Sequence, residues 1–390
     1  MIVAQPFTKN LISAITIAYA VVFVPGKAKA QEFHTRADKA FMIEADTGSV
    51  LFAKDEDTPV PPASLAKMMT MEVVFNEIVE GRLSLDDEFQ VSENAWRTGG
   101  APSGTSTMFA AIKSFVPVGD LIRGAIVQSG NDSCIILAEG ISGSEDLFAK
   151  KMTERARELG MTKSVFGNAT GLPHPDSAVT MRELVTLARY TQQTYPDFYR
   201  LYSEPEFKWN GINQRNRNPL LRLGIGVDGL KTGYTEASGY GIVSSIERDG
   251  TRLFLAMSGM SSEKERAEEA RKMLEWGLRS FEPKDLFQAG EIVGQASVYG
   301  GDGSYVDLAP ESAVTIFIPV ADPERIKARI VYDWPLEAPV EKGAQIGALK
   351  VWTGDTLNQE TPLYATNSVP VGPLHRRAFH ALQELMLFWL

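Results

Sequence analysis

The sequence predicts an α+β protein. An antiparallel sheet with helices on its faces is followed by a small all-β domain and a C-terminal amphipathic helix. Three observations predict it. Hairpin patterns occur near residues 46 and 249, with mainly helical periodicity between about 120 and 200. Only short β-like runs occupy the stretch from 283 to 369. From His375 onward the chain turns apolar and aromatic at helical spacing.

The elements follow in order. Residues 1–30 read as a secretory signal: Lys9 supplies charge, Leu11 to Val24 is almost wholly apolar, and Ala28-Lys29-Ala30 is a small-x-small cleavage pattern. The apolar run, about 14 residues, is shorter than the roughly 20 that span a bilayer, so cleavage before Gln31 is expected. Residues 31–282 form the main domain. KAFMIEA and SVLFAK flank the turn residues Asp46-Thr47-Gly48, and YGIVSSIE and TRLFLAMS flank Arg248-Asp249-Gly250. The breaker-rich PVPPA leads into an amphipathic helix from Ser64 to Val79. Thr180 and Glu183 form a capping-box pattern. A charged helix follows at about 262–281, and Glu282-Pro283 is the expected boundary.

Residues 283–369, with AVTIFIPV, RIKARIVYDW and IGALKVW, read as the small all-β domain. In residues 370–390, Phe379, Leu382, Leu385, Met386 and Trp389 share one helical face, while Arg376 and Arg377 stand at one end. That is the pattern of a helix lying on a membrane surface. A helix packed on its own domain is the plainer alternative.

Composition narrows the function. Hydrophobic residues at 44% and charged residues at 23% fit a folded globular chain. The net charge is −10, and losing Lys9, Lys27 and Lys29 with the signal makes it −13. A nucleic-acid partner is therefore not expected, because that affinity rests on neutralising phosphates. Cys134 is alone and cannot form an internal disulfide; in the run CIILA it reads as a small core residue. The four histidines make no HExxH pair or Cys/His cluster, so no metal site is expected.

Three short motifs carry chemistry. In the first, Ser64 opens a helix and Lys67 lies one turn along the same face. A helix N-terminus favours developing negative charge. A buried lysine can lose its proton and serve the base that a serine nucleophile needs. In the second, Ser129-Gly130-Asn131 places a hydroxyl and an amide at a tight turn. Ser129 can relay a proton to a leaving group, and Asn131 can hold a substrate amide or orient Lys67. In the third, Lys231-Thr232-Gly233 lies on a strand. Lys231 and Thr232 offer a cation and a hydroxyl to a carboxylate, and Gly233 lets a substrate backbone lie close. Read alone, each is better explained as ordinary structure: a cap and a surface lysine, an N-cap turn, a lysine before a turn. The set of three, in this order, is what points to acyl-serine chemistry.

PPASLAKMMT, IVQSGNDSCIILAE and GVDGLKTGYTEASGY resemble signatures of the low-molecular-mass penicillin-binding proteins that are D-alanyl-D-alanine carboxypeptidases. The resemblance runs from about residue 33 to the tail. It implies a β-lactamase/transpeptidase-like main domain and an acyl-enzyme on Ser64, with Lys67 as general base. Ser129 and Asn131 would complete the proton network. Lys231 would bind the terminal carboxylate, and the oxyanion hole would be the N–H groups of Ser64 and Tyr234. It further implies a peptidoglycan pentapeptide substrate, inhibition by β-lactams, no cofactor, and a periplasmic enzyme held on the outer face of the inner membrane. HPDSAVTMRE after Pro173 and TGGAPSGTSTMF at 98–109 depart from the family pattern and bear on side-chain preference.

Competing readings have less support. A serine β-lactamase usually adds a carboxylate base, and the appended β-rich stretch and tail of this chain are unusual there. A Ser-His-Asp hydrolase would need His174 and a GxSxG elbow, which is absent. A non-catalytic peptidoglycan-binding protein would not need all three motifs intact.

Overall fold

The structure, a computed structural model, describes residues 33–321, 326–354 and 356–378. The expected signal segment lies outside these residues. So does most of the expected C-terminal helix, of which residues 374–378 are described and helical.

The main domain contains β1 (Lys39–Glu44), β2 (Val50–Lys54), α1 (Lys67–Val79), α2 (Val118–Val127), α3 (Asn131–Ser142), α4 (Glu145–Glu158) and α5 (Met181–Thr194). After these come β3 (Val227–Thr235), β4 (Gly239–Arg248), β5 (Thr251–Met260) and α6 (Glu263–Ser280). The five strands form one antiparallel sheet in the order β2-β1-β5-β4-β3. The β1–β5 pairing, from Lys39↔Ser258 to Glu44↔Leu253, joins the two ends of the domain as expected.

Both faces of the sheet are covered. α6 packs on β4 and β5, and α5 packs on β1 and β5. Consecutive residues of β1, from Ala40 to Ile43, are therefore all buried, so they read as a continuous apolar run rather than an alternation. Gly277 lets α6 approach closely: a Cβ there would come within 2.7 Å of Met42 and 2.8 Å of Leu253. The β4–β5 hairpin closes with Arg248 opposite Thr251, and Asp249 and Gly250 both take positive φ, the two-residue turn that matches strand twist.

Two local expectations change. The helix after Ser64 begins as a 3-10 turn, Ala63–Ala66, before α1 proper starts at Lys67. Nor is α1 amphipathic: it is buried on nearly every side, including Met68, Met69, Met71, Val73, Val74 and Phe75. The capping box at α5 is half formed. Thr180 accepts from the Glu183 N–H at 3.2 Å, but the Glu183 carboxylate turns away to accept from Lys163 N–H at 2.8 Å and from the Ser164 hydroxyl.

Among the described residues, the stretch from 281 to 365 is all β. A two-stranded sheet pairs β6 (Phe281–Phe287) with β9 (Val314–Pro319). A six-stranded sheet comprises β7 (Gly294–Tyr299), β8 (Tyr305–Ala309), β10 (Ile326–Tyr332), β11 (Leu336–Glu337), β12 (Gln345–Thr353) and β13 (Thr356–Ala365). Its order is β10-β12-β13-β8-β7-β11. Val298, Leu308, Ile316, Leu349 and Leu363 belong to one core of their own. Glu282 and Pro283 lie within β6, which follows α6 directly. The two parts touch where the Ser49 hydroxyl accepts from Phe317 N–H at 3.0 Å.

Candidate active site

Ser64 sits in a turn held from two sides. The preceding Ala63 has φ +51°, the left-handed region that costs a non-glycine residue energy. Against it packs the loop 168–172, where Gly171 has φ +75° and a Cβ would lie 1.7 Å from the Ala63 carbonyl oxygen. Only glycine fits there. On the other side β3 passes close by: a Cβ on Gly233 would meet Ala63 Cβ at 3.0 Å and Ser64 N at 3.2 Å. The absence of a side chain at Gly233 therefore brings the backbone of β3 against that of Ser64.

Lys67 Nζ donates to Ser64 Oγ at 3.0 Å and to the Thr170 carbonyl at 2.6 Å. Its side chain is 1% exposed. Burial pulls its pKa down from 10.5 to about 8, against the opposing charges of its surroundings. Among these, Cys134 is itself buried and pushed up to about 11, so its thiol is neutral at pH 7. Asp132 and Glu145 remain to favour the ammonium. Roughly a tenth of Lys67 is thus uncharged at pH 7, placed to take the Ser64 proton.

The second motif lies at the start of α3. Ser129 is buried and has φ +65°, whereas Gly130 has φ −57°. The strained position is therefore the serine. Gly130 serves close packing instead, since a Cβ would come within 2.7 Å of Ser133 Oγ and 2.9 Å of Asp132 Oδ1. Asn131 Nδ2 donates to Thr105 Oγ1 at 2.9 Å, and no hydrogen bond joins it to Lys67 among the described residues. Its Oδ1 is buried without a partner. Of the two roles open to Asn131, this favours accepting from a substrate amide, because an unpaired buried acceptor gains most from a donor.

In the third motif, Lys231 is 2% exposed and lies opposite Val243 of β4. Among the described residues its Nζ reaches only its neighbour's carbonyl, Thr232 O, at 3.5 Å. No carboxylate pairs with it among the described residues. Burial, then the charges of Lys67, Arg217 and Arg266, hold its pKa well below the usual lysine value. A buried lysine short of an anion is a ready site for a carboxylate. Thr232 is nearly buried beside it, and Tyr234 is exposed, its ring 4.3 Å from that of Tyr240. A groove of about 620 Å³ is lined by Pro62, Gly171, Leu172, His174, Tyr234 and Ala237, next in the chain to the turn that carries Ser64 but not reaching Ser64 itself. His174 Nδ1 is engaged by the Asp176 N–H at 3.3 Å, not by Ser64.

Sequence reasoning missed the loop that seats Lys67. Asn168 Oδ1 accepts from Thr170 N, Thr170 Oγ1 and Gly171 N at 3.2, 3.0 and 2.7 Å, folding the loop so that the Thr170 carbonyl points at the amine. The signal available was Asn-x-x-Gly, an Asx turn closed by a glycine. It also missed Asp132, whose carboxylate accepts from Thr107 Oγ1, Met108 N and Ala110 N and ties the loop before α2 to the second motif.

A serine beside a buried amine of lowered pKa and a second buried lysine lacking an anion are the equipment of a serine acyl-transfer enzyme. Family comparison agrees. Residues 26–261 match the family model described as D-alanyl-D-alanine carboxypeptidase, and residues 281–371 match that of the penicillin-binding protein 5 C-terminal domain. D-alanyl-D-alanine carboxypeptidase DacD of Salmonella typhimurium is 35% identical over 379 residues, 96% of each chain. The crystal structure of penicillin-binding protein 5 from Haemophilus influenzae superposes with a TM-score of 0.73 at 33% identity, covering 87% of this chain and 99% of that one. Penicillin-binding protein D2 of Listeria monocytogenes, in its ampicillin-bound form, gives 0.55 at 26% identity, covering 64% of this chain and all of its own. The chain belongs to the D-alanyl-D-alanine carboxypeptidase family and is a serine-type hydrolase of that class.

Proposed function

We propose that this enzyme removes the terminal D-alanine from peptidoglycan pentapeptides through an acyl-enzyme on Ser64. The observation that carries the reading is the 3.0 Å contact of Ser64 Oγ with an amine whose pKa burial lowers to about 8. Neutral Lys67 takes the hydroxyl proton as Oγ adds to the carbonyl carbon of the penultimate residue. The N–H groups of Ser64 and Tyr234 receive the oxyanion. The C–N bond then breaks, the departing D-alanine amine gains a proton by way of Ser129, and an ester remains on Ser64. Water adds to that ester with Lys67 again as base, releasing the shortened peptide and restoring the serine.

Lys231 and Thr232 hold the terminal carboxylate, Gly233 admits the peptide backbone alongside β3, and Asn131 Oδ1 accepts from a substrate amide. The rest of the stem peptide lies in the groove beside Tyr234. A β-lactam follows the same first step, but its leaving nitrogen stays tethered, so the ester persists. The ampicillin-bound form of the Listeria relative supports this.

Export and anchoring belong to the same reading. A cleaved signal at 1–30 and an interfacial helix at 370–390 put the enzyme in the periplasm, on the outer face of the inner membrane. In cell fractionation, removing residues 374–390 is expected to move the protein from membranes to the soluble fraction; unchanged membrane association would contradict the anchor.

The substrate is tested with a pentapeptide ending in D-Ala-D-Ala. One free D-alanine per peptide is expected, and none from the same peptide ending in L-alanine. Absence of release would sink the assignment.

A further inference from the structure

The Thr170 carbonyl, 2.6 Å from Lys67 Nζ, fixes where the amine sits. It belongs to a loop, so side chains must hold it. Three do. Asn168 folds the turn. Thr70, three residues beyond Lys67 on α1, donates its hydroxyl to the Ala169 carbonyl at 2.7 Å. Glu145, the first residue of α4, accepts the Ala169 N–H on Oε1 at 3.1 Å. The peptide groups flanking Ala169 are thus clamped from two helices, immediately before the carbonyl that receives Lys67.

We propose that Glu145 is a positioning residue for Lys67: it sets the Thr170 carbonyl through Ala169, and its negative charge favours the Lys67 ammonium. The charged and titratable groups facing Lys67 are few. Asp132 and Cys134 come from α3, Glu145 from α4, and Lys231 from β3. Cys134 is neutral at pH 7. Asp132 also ties down a loop by accepting from Thr107 Oγ1, Met108 N and Ala110 N, so it cannot be replaced without freeing those donors. Asp132 acts on the amine more strongly than Glu145, but Glu145 accepts only one N–H of the 168–172 loop, so its charge can be removed with the loop contact kept. Partial burial weakens the screening of the Glu145 field by water; it also raises the Glu145 pKa, against which the Ala169 N–H favours the charged carboxylate.

The inference rests on Lys67 being the base, and the test separates the two. Acylation by a fluorescent penicillin is measured from about pH 5.5 to about pH 9.5 for wild type, Glu145→Gln, Glu145→Ala and Lys67→Met. Glutamine keeps an oxygen for the Ala169 N–H but removes the charge. Its acid limb is expected at lower pH, with the high-pH plateau within about twofold of wild type. Alanine loses both, so the limb moves and the plateau falls on the order of tenfold. Should the alanine variant fold poorly, Glu145→Leu, which keeps the bulk but likewise has no acceptor, takes its place. A glutamine limb that coincides with wild type overturns the electrostatic part, and an alanine plateau equal to wild type overturns the positioning part. Wild-type acylation by Lys67→Met would instead overturn the reading of Lys67 as base.

Discussion

Replacing Lys67 with methionine is expected to slow D-alanine release and β-lactam acylation by about 10²- to 10⁴-fold without unfolding the protein, the range that a lost general base costs. The stability argument makes this sharp. Lys67 is fully buried, with a pKa of about 8 against an ordinary 10.5, so keeping its ammonium inside costs about 3 kcal/mol. The sign follows from proton counting. Below about pH 8 both folded and unfolded chains hold the proton, and the cost is complete. Between about 8 and 10.5 the unfolded chain binds more protons, so stability rises with pH; above 10.5 the cost is gone. Methionine removes that cost but leaves the Thr170 carbonyl without a donor, worth about 1–3 kcal/mol the other way. The two nearly offset. At neutral pH the variant is expected to melt close to wild type by calorimetry, while the wild-type acylation rate climbs about tenfold per pH unit up to about pH 8 and levels above it. A variant that is inactive only because it melts far lower would contradict this account.

Lys231→Met is expected to lower kcat/KM by about 10²- to 10³-fold, because a buried cation facing a carboxylate is worth about 3–4 kcal/mol. The empty site already holds Lys231 desolvated and without an anion, with Lys67, Arg217 and Arg266 depressing its pKa further. An arriving carboxylate therefore meets a site whose desolvation is already complete, and it favours the charged form of the lysine. Peptides amidated at the C-terminus should be slow substrates of wild type and lose little more in the variant. Steady-state kinetics on acid and amide substrates measure this; equal losses on both would show that Lys231 serves structure rather than the carboxylate. Arginine is not expected to rescue, since its planar fork is larger than the amine it would replace in a closed site.

Much of the site was legible because its chemistry is carried by side chains in short motifs. Ser64, Lys67, Ser129, Asn131 and Lys231 stand out in the sequence as one ordered set of three motifs, not one by one. What escaped acts through the backbone or through distant parts of the chain. Thr170 contributes a carbonyl that any residue possesses, so only the turn chemistry of Asn168 and Gly171 could have marked it. Glu145 opens a helix and looks like an ordinary acid at a positive helix end; its contact with Ala169 spans twenty-four residues. The sheet order was legible in outline because hairpins are local signals, while the order of the six strands in the second domain depends on pairings such as β8–β13, Leu308↔Ala365, that no local pattern encodes. The burial of α1 on nearly every side was missed although MMTMEVVF has only Thr70 and Glu72 as polar breaks. Both break inward: Thr70 to Ala169, and Glu72 to Arg155 at 2.9 Å. Periodicity cannot show that a polar residue is buried with its partner.

The central claim is that Ser64 is the nucleophile, and intact-protein mass spectrometry after incubation with benzylpenicillin tests it most directly. Wild type is expected to gain the mass of one penicillin and keep it, while Ser64→Ala gains nothing. An adduct of that mass on the Ser64→Ala variant would place the nucleophile elsewhere, and rapid turnover of the drug without any adduct would make the chain a β-lactamase instead.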